Sequence, residues 1–353
     1  RSISKMENTL KQSPSVIESG QQSPTYVSAT RAGFAPFMED KVLADQDTKI
    51  GDSTWIRYGS ELHNAVVSRH VFIGFRTKII HAIIQEFAML ASGAILSGTK
   101  EHPITLGRGS WIGARAVIRA GVHVGDRAIV AAGAVVSQDV APDTITAGHP
   151  ARPIRERLPA KDGWPSPDTT VKCIRRRTPH HPPFSATASD VWMSALKNNF
   201  PDTAKWEISE DAILDAQFEG GPGVHIGSGV IAMGRNRKHG GITDDGGIHI
   251  GTGSVIGADC ILEGSGGIHI GSSVRMGSAV YVLSSGHDTE KTSLPWRATP
   301  IMIGDRASIG AGATLVGPLK IGADTQIAPG ALVVNDVNEN AYTGGVFETL
   351  KGQ

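Results

Sequence analysis

The chain has 353 residues with 34 basic and 34 acidic side chains, so its formal net charge is zero. A neutral balance provides no global field that would attract nucleic acid or a membrane surface, and we predict neither partner. The length exceeds that of one average domain, and 43 glycines with only 5% aromatic residues are typical of a fold made of turns and small-residue layers.

The cysteines and the apolar runs bear on the cellular compartment. Cys173 and Cys260 are too few for a disulfide framework, which favours a reducing setting. No apolar run approaches the roughly 18 residues of a membrane span, and the opening residues lack the hydrophobic core of a signal peptide. We therefore predict a cytoplasmic protein without a membrane span.

In chain order, residues 1–32 are rich in Ser, Gln and Pro and are predicted to form a flexible tail. Residues 33–158 form a first repeat block, in which an aliphatic residue comes to recur at every sixth position. These positions are Leu106, Ile112, Ile118, Val124, Val130 and Val136. A helix repeats near 3.6 residues and a strand near two, so a period of six predicts a parallel β-helix of stacked coils.

Residues 159–206 break this period and are predicted to form a proline-rich linker with a short helix that ends near Asn199. A second repeat block occupies residues 207–353. Its regular aliphatic positions are Ile303, Ile309, Leu315, Ile321, Ile327 and Val333. The sequence therefore predicts an all-β chain of two parallel β-helix domains joined by a linker.

A polar insert interrupts the second block between Val282 and Ile303. It contains GHDTE, with His287 followed by Asp288, then Arg297, and the repeat resumes in PI-x-IGD. These segments resemble the hexapeptide-repeat acyltransferases, most closely the maltose, galactoside and polysaccharide O-acetyltransferases. The resemblance implies left-handed coils with three hexads per turn, acetyl-CoA as the donor and a homotrimer whose grooves lie between neighbouring subunits.

The same resemblance assigns roles to residues of the second block. His287 is implied as the general base, Asp288 as its orienting partner and the backbone N–H of Ala311 as the donor to the oxyanion. The residues implied to contact the acceptor are Ser285 and Arg297, and those implied to contact the coenzyme are Gly310, Ala311 and Ala328.

The first block ends in SQDVAPDTITAGHPARPIR, which resembles the tail that flanks coenzyme A in these enzymes. The resemblance implies that Arg152 and Arg155 lie near the nucleotide phosphates, where a guanidinium offers a fixed fork of donors. The implied groove residues are Trp111, Ala114, Ala132, Ser137 and Gln138. The chain departs from the family at Gln138, where Lys or Arg is usual, and at His149, where Asn or Val is usual.

Other histidines offer alternative sites. His102, in the insert SGTKEHPITLG, faintly resembles the His-Pro pair of serine acetyltransferases, although it also fits an ordinary surface loop. His63, His70 and His81 come on successive early coils and suggest the zinc site of γ-class carbonic anhydrases, which share the fold. Their spacing does not match that site, so we predict no metal.

Three further histidines precede inward isoleucines of the second block. These are His225, His249 and His269. We expect them to stack as a ladder along a coil edge, which is a structural role.

Together these features predict an acetyl-CoA-dependent O-acetyltransferase that acts on a sugar or polysaccharide hydroxyl. N-acetylation of an amino sugar or another small amine is an alternative within the same fold. The alternative from a different class is a non-catalytic β-helix that binds a partner. The second tail, NDVNENAYTGGVFETLKGQ, leaves this last alternative open because it lacks the PAR segment of the family.

Overall fold

A computed structural model describes residues 17–18, 36–39, 41–164, 206–216, 218–234 and 247–344. Every regular element in these ranges is a β-strand, which confirms the all-β prediction for them. They contain no helix, and so none that could cross a bilayer. The predicted linker from residue 165 to 205, its short helix and nearly all of the predicted tail lie outside the described residues.

The chain forms two compact units, and each is described by itself. The first unit comprises Arg1–Pro183 together with Thr289–Pro295, and the second comprises Phe184–Asp288 together with Trp296–Gln353. Thr289–Pro295 thus belongs to the first unit although it follows strands of the second unit in the chain. Each unit has its own continuous hydrophobic core.

The strands of the first unit are short and evenly spaced. In chain order they are β1 (Ile17–Glu18), β2 (Phe37–Met38), β3 (Leu43–Ala44), β4 (Lys49–Ile50), β5 (Trp55–Ile56), β6 (Glu61–His63), β7 (Val66–Val67), β8 (Phe72–Ile73), β9 (Lys78–Ile80), β10 (Ala82–Ile84), β11 (Met89–Leu90), β12 (Ile95–Ser97), β13 (Ile104–Leu106), β14 (Trp111–Ile112), β15 (Val117–Arg119), β16 (His123–Val124), β17 (Ile129–Val130), β18 (Val135–Val136), β19 (Thr144–Gly148) and β20 (Ala151–Glu156).

The second unit repeats this arrangement. Its strands are β21 (Glu207–Ile208), β22 (Ile213–Ala216), β23 (Phe218–Gly220), β24 (His225–Ile226), β25 (Ile231–Gly234), β26 (Ile248–Ile250), β27 (Val255–Ile256), β28 (Ile261–Glu263), β29 (Ile268–Ile270), β30 (Arg275–Met276), β31 (Tyr281–Leu283), β32 (Ser285–His287), β33 (Trp296–Ala298), β34 (Ile301–Ile303), β35 (Ser308–Ile309), β36 (Thr314–Val316), β37 (Leu319–Ile321), β38 (Gln326–Ile327), β39 (Leu332–Val333) and β40 (Tyr342–Thr343).

Each unit is a three-sided solenoid, because successive strands join three different sheets in rotation. In the first unit we call the sheets face a (β1-β4-β7-β10-β13-β16), face b (β2-β5-β8-β11-β14-β17-β19-β20) and face c (β3-β6-β9-β12-β15-β18). In the second unit they are face a (β23-β26-β29-β34-β37), face b (β21-β24-β27-β30-β35-β38-β40) and face c (β22-β25-β28-β31-β36-β39). The strands of these faces pair in parallel, apart from β1 with β4 and β19 with β20.

The six-residue period produces the core. Ile303, Ile309 and Leu315 are each at most 1% exposed, and so is Ile112 at the matching place in the first unit. One aliphatic side chain per strand therefore points inward and stacks on the residue one coil away, as Ile309 does on Ile327. The parallel solenoid is confirmed, whereas its left-handed winding stays a prediction from the resemblance.

Candidate active site

The last coils of the two units correspond position by position. Residues 104–146 and 301–343 align without an insertion: β13 matches β34, β14 matches β35, and β15 matches β36. The terminal contacts match as well, since Val124 pairs with Val140 in the first unit and Ile321 with Val337 in the second. A residue of one unit can therefore be compared directly with its counterpart in the other.

His287 lies on a hairpin that leaves the second unit where the chain passes from face c to face a. The hairpin consists of β32 and β33, and His287 stands opposite Trp296. At its base, the buried Ser284 hydroxyl donates to the carbonyl of Glu263 at 2.6 Å and accepts the N–H of Gly266 at 3.0 Å. These contacts fix the root of the insert close to the coil.

The other residues predicted around His287 differ in their surroundings. The Ser285 hydroxyl, predicted to contact the acceptor, donates to the Glu263 carboxylate at 2.6 Å. Asp288 follows the hairpin strand and is half-buried, while Arg297 is exposed on the return strand opposite Gly286. Arg297 is thus open to a ligand, whereas Ser285 would have to leave Glu263 in order to bind one.

Ala311 lies in the turn from face b to face c. Its side chain is exposed, and its N–H makes no backbone hydrogen bond in the described part of the chain, while the next residue, Gly312, donates to the carbonyl of Ser278. Ala114, the counterpart of Ala311 in the first unit, is buried, but its N–H likewise makes no backbone hydrogen bond in the described part of the chain. A backbone N–H without a backbone acceptor thus occurs at this turn in both units, and a donor of this kind is what the predicted oxyanion role of Ala311 requires.

His287 and Ala311 lie at different corners of the second unit. The chain reaches Ala311 between faces b and c and leaves for His287 between faces c and a. The width of face c separates these corners, roughly 16 Å for five residues at about 3.3 Å each. The two groups predicted to act together are therefore not adjacent along one coil.

The residues predicted to hold coenzyme in the second unit form a track of small side chains along the turns between faces b and c. Gly310 lies against Ala328 and Pro329 of the next coil, and a Cβ on Gly310 would be 2.3 Å from the Pro329 nitrogen. Gly277, one coil earlier, would bring a Cβ within 2.6 Å of the Ala311 nitrogen. A track without bulky side chains leaves room for an extended pantetheine chain, as the resemblance implies.

The first unit has the same track on its corresponding corner. Gly113 would bring a Cβ within 2.4 Å of the Ala132 nitrogen, and Ala114 is buried. Trp111 is half-buried on face b between Met89 and Ile129. The predicted contacts Ser137 and Gln138 are exposed after the last coil strand.

The tail that follows these coils is a β-hairpin of β19 and β20. Arg152 is exposed and donates to the carbonyl of its neighbour Ala151 at 2.8 Å. Arg155 pairs with the Glu290 carboxylate at 2.9 Å, and both side chains are at least half exposed. Phosphate could approach Arg152 freely but would compete with Glu290 for Arg155.

Arg157, just beyond this hairpin, is a residue that the sequence reasoning missed. It is fully buried, and its guanidinium donates to the carbonyls of Thr289, Arg127 and Lys291 at 2.6–2.8 Å. Burial lowers the pKa of Arg157, although an arginine stays charged in proteins. No sequence signal separates it from Arg152 and Arg155.

His102 occupies the counterpart of the His287 corner in the first unit, between β12 and β13. Its side chain is exposed, its N–H donates to the Thr99 hydroxyl, and its carbonyl accepts the N–H of Gly121 at 2.9 Å. His102 therefore sits in a tight turn, whereas His287 is carried on a hairpin.

The remaining histidines do not converge. In the ranges that the structure describes, no three His, Cys, Asp or Glu side chains are placed to hold a metal ion. His249 and His269 stack on face a with ring centroids 4.3 Å apart. His225 lies on face b beside Glu207, so its expected place in this ladder is wrong. A residue that precedes an inward isoleucine occurs on every face of the solenoid. His249 and His269 lie on neighbouring strands of face a and can stack, whereas His225 lies on face b.

The chain matches one protein-family model and is similar to several known acetyltransferases over part of its length. The model of the bacterial transferase hexapeptide (six repeats) family matches residues 103–138. The galactoside O-acetyltransferase of Escherichia coli is 28% identical over 140 residues, which cover 33% of this chain and 68% of that protein. Over these residues the chain is similar to members of the hexapeptide-repeat acyltransferase superfamily.

Relatives of this superfamily differ in the acceptor that their names state. A 2,3,4,5-tetrahydropyridine-2,6-dicarboxylate N-acetyltransferase of Staphylococcus aureus is 44% identical over 77 residues, covering 21% of this chain and 32% of that protein. The chain thus spans about a third of this second relative. The acetyltransferase domain of PglB from Neisseria gonorrhoeae, solved with acetyl coenzyme A, is 23% identical with a TM-score of 0.33, covering 35% of this chain and 58% of that one.

Proposed function

We propose that this chain is an acetyl-CoA-dependent O-acetyltransferase that acts on a sugar or polysaccharide hydroxyl, with His287 as general base. The observation that carries the proposal is the hairpin of β32 and β33, which carries His287 on an insert beside a solenoid in which the Ala311 N–H makes no backbone hydrogen bond among the described residues. The likeness to a galactoside O-acetyltransferase over 68% of that protein supports the hydroxyl acceptor.

The chemistry follows from these groups. When bound, acetyl-CoA supplies the acetyl group as an activated thioester. His287 accepts the hydroxyl proton while the oxygen attacks the carbonyl carbon, and the imidazolium returns that proton to the sulfur as the C–S bond breaks. The N–H of Ala311 donates to the carbonyl oxygen, where negative charge develops. Asp288 orients the imidazole, and the general base contributes about 10²- to 10⁴-fold.

We further propose that the protein assembles as a homotrimer. His287 and Ala311 stand at different corners of the second unit, so a complete site requires His287 to meet the turn of a neighbouring solenoid. Light scattering coupled to size exclusion would give the mass of the assembly. A monomer with full transferase activity would contradict this arrangement.

The coenzyme is proposed to lie along the small-residue track. In the second unit its contacts would be Gly310, Ala311 and Ala328, and in the first unit Trp111, Ala114, Ala132 and Ser137. Arg152 and Arg155 would hold nucleotide phosphates, because Arg152 is exposed and the Glu290 carboxylate that pairs with Arg155 is itself exposed. Calorimetry with coenzyme A gives the number of sites per chain and therefore shows whether one unit or both bind it.

The experiment that tests the function is acetyl transfer from acetyl-CoA to a panel of acceptors, measured by thiol release and by the mass of the product. We expect acetylation of a galactoside or maltose-type hydroxyl. The N-acetyltransferase relative favours a second candidate, transfer to a small amine, so the panel also contains amino sugars. A protein that neither binds coenzyme A nor releases thiol would be a non-catalytic solenoid instead.

A further inference from the structure

Arg157 presents an unusual arrangement in the first unit. It is 0% exposed, and its hydrogen bonds go to three backbone carbonyl oxygens. A buried charge is costly unless hydrogen bonds compensate it, and removing its partners would leave the guanidinium unsatisfied. The three carbonyls are therefore held in fixed positions around the guanidinium.

Two of these carbonyls belong to the segment Thr289–Pro295. The Nε of Arg157 donates to Thr289 at 2.6 Å, and Nη2 donates to Lys291 at 2.8 Å. The third bond, from Nη1 to the carbonyl of Arg127 at 2.7 Å, ties the guanidinium to the turn that follows β16. One side chain thus joins the coil of the first unit to this segment.

Weaker contacts hold the same segment. Ala160 forms a parallel bridge with Lys291, and its N–H donates to the carbonyl of Glu290 at 2.8 Å. The Asp162 carboxylate accepts both the hydroxyl and the N–H of Ser293. Unlike Arg157, Asp162 acts at the exposed surface, so its contribution is smaller.

We propose that Arg157 is a positioning residue for the loop that carries His287. Thr289 follows His287 by two residues in the chain, so fixing the Thr289 carbonyl restricts the backbone that presents the imidazole. Misplacement of a reacting group by about 1 Å can cost roughly 10²-fold in rate. This role in catalysis rests on the proposed function, whereas the hold on the loop does not.

The test compares Arg157→Ala with the wild type in the full chain. Hydrogen exchange followed by mass spectrometry is expected to show faster exchange in peptides that cover residues 286–295, with the solenoid strands unchanged. In the transfer assay, kcat is expected to fall about 10- to 100-fold while KM for acetyl-CoA stays within about twofold. Millimolar guanidinium chloride is expected to restore part of kcat by filling the vacated site.

The control is Arg69→Ala, which removes an exposed guanidinium of the same unit that pairs with Glu86. It is expected to change neither the loop exchange nor kcat. Unchanged exchange at residues 286–295 in Arg157→Ala would overturn the inference, and so would faster exchange there with wild-type kcat. An inactive wild type would refute the proposed function alone, and the exchange measurement would then decide whether Arg157 holds the loop.

A second variant covers the case in which Arg157→Ala does not fold. Asp162→Asn removes a surface carboxylate charge and weakens the bonds to Ser293 without opening the interior. It is expected to speed exchange of the same peptides by a smaller factor and to lower kcat about twofold to fivefold. Wild-type exchange in both Asp162→Asn and a folded Arg157→Lys variant would contradict the proposal, because the single ammonium nitrogen of lysine cannot occupy the three positions from which Nε, Nη1 and Nη2 donate to the carbonyls.

Discussion

Residues 104–146 and 301–343 build the same three-sided coils, yet they differ in the residues that the resemblance assigns to an acetyltransferase site. The first segment has Trp111 on face b, and a tail with exposed arginines follows it. The second has Ser308 in place of the tryptophan, and it directly follows the His287 hairpin. The two units therefore share a scaffold while they differ at corners and ends.

This difference shows where the solenoid accepts change. At the corner between faces c and a, the first unit has six residues, 98–103, and the second has residues 284–300. The strands on either side still pair in register with their neighbours. Lengthening a loop costs only about 0.6 kcal/mol per doubling, so a corner can gain a long insert without disturbing the core.

The largest expected difference between the two units comes from substituting the histidine at the corner between faces c and a, His287 in the second unit and His102 in the first. His287→Ala is expected to lower kcat by about 10²- to 10⁴-fold because the general base is lost. Coenzyme affinity and thermal stability should stay near wild type, since the hairpin lies outside the core. Steady-state kinetics and calorimetry with coenzyme A measure both.

His102→Ala is the matched variant, because His102 occupies the corresponding corner of the first unit. We expect less than a twofold change in kcat, as its side chain is exposed in a tight turn. The reverse result, loss of transfer in His102→Ala and full activity in His287→Ala, would show that His102 of the first unit is the general base.

The sequence predicted the scaffold better than the site. Ile112 and Ile309 were predicted to point inward because the period of six is a local pattern, and both are buried. His287 was assigned as general base from a local resemblance, and this role stays a prediction. Arg157 was missed because the Thr289 carbonyl that it binds lies 132 positions away, and no side-chain pattern records a backbone acceptor.

The shared coil geometry is tested by adding a methyl group at matched glycines. Gly310→Ala would place a Cβ 2.3 Å from the Pro329 nitrogen, and Gly113→Ala one 2.4 Å from the Ala132 nitrogen. Because the backbone must move in both cases, each substitution should lower the free energy of unfolding of the unit that carries it by about 1–3 kcal/mol. Denaturant unfolding with hydrogen exchange assigns the loss to a unit. Gly330→Asn is the control, since nothing lies within 4 Å and Asn tolerates its positive φ.

The tail of the first unit is tested through the phosphates of the coenzyme. Arg152→Ala is expected to weaken coenzyme A binding about tenfold, equivalent to about 1.4 kcal/mol, because a charge-assisted hydrogen bond is lost. Dephospho-coenzyme A identifies the phosphate: wild type and variant should bind it equally if Arg152 contacts the 3′-phosphate. Equal affinity of both proteins for intact coenzyme A would show that Arg152 in the first tail does not contact the coenzyme.

The smallest expected effect concerns the stacked histidines of the second unit, which have no counterpart pair in the described first unit. Burial lowers the pKa of His249 below its ordinary 6.5, the neighbouring His269 lowers it further, and Glu219 partly opposes this. A lowered pKa means that the unfolded chain binds the proton more readily, so stability is lost as pH falls through about 6.5 towards the folded pKa. Between pH 7.5 and 5, the melting temperature of the wild type should therefore fall more than that of His249→Gln. Identical pH slopes for the two proteins, measured by calorimetry at constant ionic strength, would show that the pair stacks without a protonation cost.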